Sequence, residues 1–353
     1  MNDYIWLLPT VHLSEFDDML VLRRGSDALE FHGSPSRIRR FLDKLDGSTT
    51  ADDLCVDKVS SQLFEALDNE EWLVRLTRPL DTLVGDHPAL SRQLSYYAHL
   101  QRRHPDRALD ELRNVRVLII GVGGIGSHVA QSLAGAGVKK LDLSDPDTVD
   151  ATNLNRQFFY TKHDIGRHKV EAAERFLRAR QEDLKIRTVR GNLFASTEGR
   201  QVIDAANLVV FCGDGDTVGR AASVLGTKPV LIAGYQGATG QVGPLSAPAM
   251  GTRCWSCMVS ETGGDRLHEF DERRVRRPTA WNASGSAVNT TLGGLAAEVA
   301  IRFLAPSLGG PLMLDSVLRI DMVTLDTQVV ALPREQCEHS TTSTNPSLHQ
   351  RAR

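Results

Sequence analysis

The chain has 353 residues, a formal net charge of −3 and five cysteines. That length allows two domains with a substantial core, and the balanced charge gives no global field toward nucleic acid or a membrane. No run of about 18 apolar residues and no basic-then-apolar leader is present, and an odd, sparse cysteine count argues against a disulfide framework, so the chain reads as a soluble, cytoplasmic protein.

Residues 1–82 read as a separate small domain. Tyr4–Leu8, Met19–Leu22 and Ala28–Phe31 have strand character. Ser34, followed by Pro35, predicts a helix with Ile38, Phe41, Leu42 and Leu45 inside and Gly47 closing it. Thr50 predicts the cap of a second short helix, with Leu54 and Val56 as core positions. Ser60 predicts the start of a third helix carrying Leu63, Phe64 and Leu67, and Trp72–Leu76 reads as the returning strand of a wing. This is a winged-helix order. Charge argues against DNA binding: residues 1–85 hold nine Lys/Arg against sixteen Asp/Glu, and the third helix carries Glu65, Asp68, Glu70 and Glu71 where phosphates would lie. A protein or peptide partner remains, or a plain packing role.

Pro79–Pro88 reads as a linker to a second domain, 83–339. Leu90–Arg102 predicts a helix bearing Arg92, Tyr96, Tyr97 and Leu100, and Leu109–Leu112 leads on to the next strand. Val117–Ile120 is a short apolar run of the kind found in buried parallel strands. Gly121, Gly123, Gly124 and Gly126 follow at once, and 127–134 has helical spacing. Strand, glycine turn and helix together let backbone N–H groups and a helix N-terminus meet a phosphate. A second strand, Lys140–Ser144, ends at Asp145, well placed for ribose hydroxyls. Taken alone, the glycines fit a nicotinamide, flavin or ATP enzyme. Asn153, Arg156 and Gln157 in NLNRQ and Lys169 in DIGRHKV add the polar and cationic groups that a triphosphate needs.

Ile186–Val189, Leu208–Phe211 and Pro229–Ala233 read as further strands. Asp214 and Asp216 follow the second of these, and a carboxylate beyond a strand's carboxyl end suits Mg²⁺. Gly234–Gly243 forms either a hairpin or a surface that a substrate tail approaches. Cys254 and Cys257 form a CxxC without thioredoxin-like context, which favours metal. Cys337 and His339 near the end complete a candidate structural Zn²⁺ set. Arg273, Arg274, Arg276 and Arg277 lie in a polar stretch that clamps an acidic group or is simply solvated. Thr291–Leu304 predicts an apolar helix and Arg319–Thr324 with Gln328–Leu332 a closing hairpin. Residues 340–353, rich in Ser and Thr, predict a disordered tail.

The motifs GVGGIG, DPDTVDATNLNRQ, DIGRHKVEA and VVFCGD resemble, in the same order, those of the ThiF/MoeB/HesA branch of the ubiquitin-activating superfamily. The resemblance covers about Arg92 to Leu332. It implies an α/β fold: a Rossmann-like ATP-binding domain with a mixed, mainly parallel sheet. It implies that Asp145 holds the ribose, that Asp147 and Gln157 belong to the nucleotide site, that Asn153, Arg156 and Lys169 hold the phosphates and that Asp214 holds Mg²⁺. Arg92 stands where the family places an arginine that reaches a partner subunit's site, so a homodimer is implied. Relatives often carry CxxC twice; here only Cys337 remains of the second pair.

The first domain resembles, more diffusely, the precursor-peptide recognition element of ribosomal peptide biosynthesis, which binds a leader as an added strand; Ala28–Phe31 would be the adding edge. The combination is similar to the microcin and pantocin-type peptide-modifying enzymes. It implies ATP- and Mg²⁺-dependent adenylation of a carboxylate of a precursor peptide. Two rivals are adenylation of a ubiquitin-like sulfur carrier and a non-catalytic partner that only presents a leader peptide. No thioester with the enzyme is expected, because Met258–Leu332 contains no cysteine and Cys212 reads as a core residue.

Overall fold

The computed structural model describes residues 3–86, 88–213, 221, 224–261 and 284–332. The chain divides into two compact units. The first is Met1–Glu111 with Ala305–Gly310, and the second is Leu112–Leu304 with Pro311–Arg353.

The first unit contains β1 (Tyr4–Leu7), β2 (His12–Glu15), β3 (Met19–Arg24), β4 (Asp27–His32), β5 (Asp46–Thr50) and β6 (Leu73–Leu76). They form two three-stranded sheets, ordered β5-β1-β6 and β2-β3-β4, antiparallel throughout. Helices α1 (Pro35–Leu42), α2 (Ala51–Leu54) and α3 (Lys58–Asn69) are joined to β5 and β6 in the order α1-β5-α2-α3-β6. Ile5, Leu20, Leu22, Phe41, Leu67 and Trp72 lie in one buried cluster.

Several sequence expectations are corrected here. Strands β2 and β5 were not foreseen, because HLSE and DGSTT carry no apolar stripe; β5 exists by pairing with β1. Gly47 does not close α1 but sits in β5 with φ +85°. Asp57, not Ser60, caps α3, accepting the Ser60 N–H at 2.8 Å, so the helix begins at Lys58. Val56 is exposed. The segment read as a linker forms α4 (Leu80–Asp86), followed by α5 (Ser91–Leu100) and α6 (Arg107–Asn114). Thr50 does cap α2, through the Asp53 N–H.

The second unit is built on β7 (Arg116–Ile120), β8 (Lys140–Ser144), β9 (Lys185–Val189), β10 (Leu208–Phe211), β11 (Val230–Gln236), β12 (Thr239–Ser246), β13 (Ser316–Asp321) and β14 (Thr327–Ala331). They form one sheet, ordered β14-β13-β12-β11-β10-β7-β8-β9. Pairs from β9 through β8, β7 and β10 to β11 are parallel, and the remaining three pairs are antiparallel. Strands β7, β8 and β10 are buried almost throughout, which is why their sequences read as continuous apolar runs.

The exception is Asp142 in the middle of β8. Arg116 on β7 and Arg187 on β9 each donate to it at 2.7 Å, so this buried charge ties three strands together. Helices α7 (Gly124–Ala136), α8 (Lys169–Arg180) and α9 (Thr197–Ala205) lie between the parallel strands in sequence, followed by α10 (Trp255–Glu261) and α11 (Ser286–Leu304). Helix α11 packs on α7. The chain runs outward from β7 through β8 to β9, then returns past β7 to β10. That reversal places a crevice at the carboxyl ends of β7 and β10, the position where open α/β sheets bind ligands.

Candidate functional site

The glycines after β7 have three different reasons to be glycine. Gly121 has φ +86°, and a Cβ there would lie 2.8 Å from the Cys212 carbonyl oxygen. The turn off β7 is therefore pressed against the end of β10. At Gly126 a Cβ would stand 1.9 Å from the Gly121 carbonyl oxygen, and at Gly124 it would stand 2.3 Å from Asn289 Oδ1 on α11. These two let α7 close on its own loop and on its neighbour. Gly123 is different. A Cβ there would meet only the Gln157 amide, at 3.5 Å, an ordinary contact. Packing among the described residues does not require glycine at Gly123, whereas close approach of a ligand to the backbone does. Gly123 is also the N-cap of α7, and it brings no side chain to the first-turn N–H groups. That end of a thirteen-residue helix is open to an anion.

Asp145 stands at the end of β8 and is buried. Its Oδ2 accepts the Val122 N–H at 2.8 Å and its Oδ1 the Asp147 N–H at 3.0 Å. The carboxylate thus fixes the glycine turn to the loop after β8. Burial pushes its pKa above the ordinary carboxylate range, against the opposing pull of Lys169 and the two N–H donors. Carboxylates held at such a cost concentrate at functional sites. Lys169 opens α8 and is buried; its Nζ lies 2.7 Å from Asp147 Oδ2 and 3.9 Å from Asp145 Oδ1. The ammonium expected to meet phosphate is therefore held between two carboxylates.

Asn153 is buried in a capping box with Asp150, accepting the Asp150 N–H at 3.1 Å. Gln157 is buried beside Gly123, and its Oε1 has no hydrogen-bond donor among the described residues. Arg156 is half-buried and donates to the Thr152 carbonyl at 2.7 Å and to Asn155 at 2.8 Å. The structure thus brings Gly121, Gly123, Gly124, Gly126, Asp145, Asp147, Gln157 and Lys169 to one end of the sheet. Arg92 is exposed on α5, in the first unit. Asp214, Cys337, His339 and the arginines at 273, 274, 276 and 277 lie outside the described residues. Cys254, buried, lies just before α10, and Cys257, half-buried, lies in its first turn.

Two residues of this site were missed in the sequence. Tyr160 donates its hydroxyl to the Val122 carbonyl at 2.6 Å, so both polar groups of that turn residue are held, one by Asp145 and one by Tyr160. A tyrosine in an otherwise buried stretch was the available signal, since its hydroxyl demands a partner. Asn289 is buried at the α7 contact and donates to the Ser284 hydroxyl and the Gly285 carbonyl. Nothing local in its sequence marks it.

The family model for the ThiF family matches residues 95–341. The chain belongs to the ThiF family. Among curated relatives, the sulfur carrier protein ThiS adenylyltransferase of Escherichia coli (strain K12) is 33% identical over 159 residues, 43% of this chain and 62% of the relative. The SUMO-activating enzyme subunit 2 of Dictyostelium discoideum is 29% identical over 164 residues, 46% of this chain and 24% of the relative. The chain thus spans less than two thirds of the length of either. Among solved structures, E. coli MccB with ATP superposes with a TM-score of 0.70 at 21% identity, covering 94% of this chain and 97% of that one. The microcin C7 biosynthetic enzyme MccB in complex with N-formylated MccA gives 0.70 at 20%, covering 95% and 99%. At this identity the likeness establishes the fold: a mixed α/β architecture with a mainly parallel, Rossmann-like sheet, as the sequence motifs implied.

Proposed function

We propose that this ThiF-family chain is an ATP- and Mg²⁺-dependent adenylyltransferase that activates a carboxylate of a ribosomally made precursor peptide. The observation that carries the reading is the cradle at Gly123. Its backbone is left bare at an uncapped helix N-terminus, with buried Asp145 and Lys169 on the adjoining strand end and helix. These residues fit a nucleotide. ATP bound there supplies an α-phosphate to the carboxylate, with pyrophosphate as leaving group.

The chain's own part is binding and charge control. The first-turn N–H groups of α7 and Asn153 orient the phosphates. Lys169 and Arg156, joined by Arg92 from a second copy of the chain, offset the negative charge that grows as the bond to pyrophosphate breaks. Asp145 keeps the glycine turn in register, and Asp214 is the residue for Mg²⁺. Cys254, Cys257, Cys337 and His339 remain the proposed set for a structural Zn²⁺, on the strength of the CxxC spacing.

Two features support the peptide substrate. The chain superposes over nearly its whole length on the microcin C7 biosynthetic enzyme MccB, solved in complex with N-formylated MccA. Its first unit, in which residues 1–82 are the proposed winged-helix recognition domain, is too acidic for nucleic acid. Likeness to a ThiS adenylyltransferase favours a second reading, a ubiquitin-like carrier with a Gly-Gly tail. ATP–pyrophosphate exchange separates them. We expect exchange that depends on Mg²⁺ and on a short peptide encoded beside this gene. Exchange that responds only to a sulfur carrier would replace the peptide reading, and exchange unchanged in both Lys169→Ala and Arg156→Ala would remove adenylation.

A further inference from the structure

The first unit is acidic as a whole, yet it gathers cations at one place. A cleft of about 250 Å³ opens between the turn after α3, strand β6 and the end of α5. Arg75, His99, Arg102 and Arg103 line it, with Asp68 and Glu71 beside them. Arg24 reaches the same turn from β3. The cations are held by few acceptors. The Glu71 carbonyl accepts both Arg24 Nη1, at 3.3 Å, and Arg102 Nε, at 3.0 Å. Arg102 Nη1 donates to the Ala98 carbonyl. Arg75 is paired with Asp68 at 2.6 Å. The Arg103 guanidinium has no hydrogen bond or ion pair among the described residues.

Two guanidinium groups converging on one neutral carbonyl repel each other, and the carbonyl cannot cancel either charge. The carboxylates nearby are Asp27, 3.6 Å from Arg24 Nη2, Asp68, already engaged by Arg75, and that of Glu71, which is exposed; none of the three pairs with the Arg103 guanidinium among the described residues. The surplus is visible at its neighbours. Burial first, and then the charges of Arg102 and Arg24, hold His99 below the ordinary histidine range. Burial and Arg24 likewise lower Arg102, against the opposing pull of Glu71. The backbone also closes this corner: the Arg75 N–H donates to the Arg102 carbonyl at 2.8 Å and the His104 N–H to the Arg75 carbonyl at 2.7 Å. The segment carrying Arg102 and Arg103 is thereby laid along β6, and the cations are fixed before any ligand arrives.

We propose that this cleft binds an acidic side chain of the peptide partner, with Arg24, Arg102 and Arg103 supplying the donors. Planar guanidinium groups match a carboxylate in shape and charge. The proposal rests on the reading of the first unit as the peptide-recognition unit, and it names a second contact besides the strand edge.

The test uses the full chain and glutarate as the probe. The His99 ring signal is followed by NMR, assigned with His99→Gln. We expect a saturable shift at millimolar glutarate and a rise in the His99 pKa as the anion offsets its cationic neighbours. Both should vanish in the Arg24→Gln/Arg103→Gln double variant, and precursor-peptide affinity should fall about tenfold in it. A shift that never saturates, or persists in the double variant, overturns the site. Tighter binding of inorganic phosphate than of glutarate would assign the cleft to phosphate instead and overturn the acidic peptide. Because glutarate needs no peptide, the two readings fail separately. Saturable glutarate binding in a chain that binds no precursor would sink the recognition role. Full precursor affinity in the double variant would sink the cleft.

Discussion

Gly126→Ala and Gly135→Ala are the same substitution in the same helix, and they should have opposite signs. Gly135 has open space where a Cβ would go. Alanine there should stabilise the protein by roughly 0.5–1 kcal/mol, because glycine loses more conformational freedom in a helix. At Gly126 the added Cβ would stand 1.9 Å from the Gly121 carbonyl oxygen, where real contacts exceed 3.0 Å, so the glycine turn must move by about 1 Å. That turn is tied on both sides, by the Val122 N–H to Asp145 at 2.8 Å and by Tyr160 to the Val122 carbonyl at 2.6 Å. Losing a bond to a buried carboxylate costs about 1.5–3 kcal/mol and losing a neutral one about 1 kcal/mol. Subtracting the helix gain leaves a net loss of about 2–3 kcal/mol, with ATP affinity lost as well. Urea unfolding measures the first and nucleotide titration the second. A Gly126→Ala protein as stable as wild type would refute the claim that this turn is locked in place.

Lys169→Ala should lower pyrophosphate exchange on the order of 10²-fold or more, the usual effect of removing one transition-state contact; exchange kinetics test it. Asp147→Asn should bind Mg²⁺-free ATP several-fold tighter than wild type, because it frees the Lys169 ammonium; calorimetry tests it. Cys212 is half-buried, and desolvation pushes its thiol up to about 12, so little thiolate forms at pH 8. Iodoacetamide should therefore leave Cys212 unlabelled in the folded protein, and mass spectrometry of a quenched reaction should show no thiol-releasable peptide adduct. Asp164 is buried, yet hydrogen bonds from Arg175 and Thr161 outweigh its desolvation and hold its pKa below 3.8. That stability is present above the unfolded pKa and is lost as pH falls through the folded one. Asp164→Asn should therefore flatten the acid limb of the stability profile below about pH 4.

Legibility in the sequence followed how each feature is made. Strands buried on both faces write themselves as apolar runs, so β7, β8 and β10 were placed within a residue. Polar β2 and β5 owe their existence to a partner strand, and no local pattern announces them. The glycine positions were legible, but their separate causes were not. Only the fold shows that Gly124 yields to Asn289 on α11 and Gly126 to its own loop, whereas Gly123 yields to nothing among the described residues. Helix starts were blurred for a related reason. Ser60 and Asp57 are equally good caps by residue type, and the choice is made by which side chain reaches an orphan N–H. The cations of the first unit come from β3, β6 and the segment after α5, so their convergence is a property of the fold alone.

The charges at the nucleotide end of the sheet decide how a polyphosphate can enter. Asp145 and Asp147 share one ammonium, so the three groups together carry a net negative charge. Such a cluster repels a free triphosphate. The two acids are not equivalent, however. Asp145 is buried and bound by two N–H groups, whereas the Asp147 side chain is 65% exposed and holds Lys169 by a single contact at 2.7 Å. A salt bridge with one partner in solvent is worth little and breaks readily. Asp147 can therefore swing away without disturbing the fold, and Lys169 then turns its charge to phosphate while Asp145 keeps the glycine turn in place. The displaced carboxylate stays close to the incoming phosphates, and the repulsion that remains is of the kind a divalent cation removes. Mg²⁺ should therefore raise ATP affinity more in the wild type than in Asp147→Asn, which calorimetry checks; equal gains in both would refute this role of Asp147.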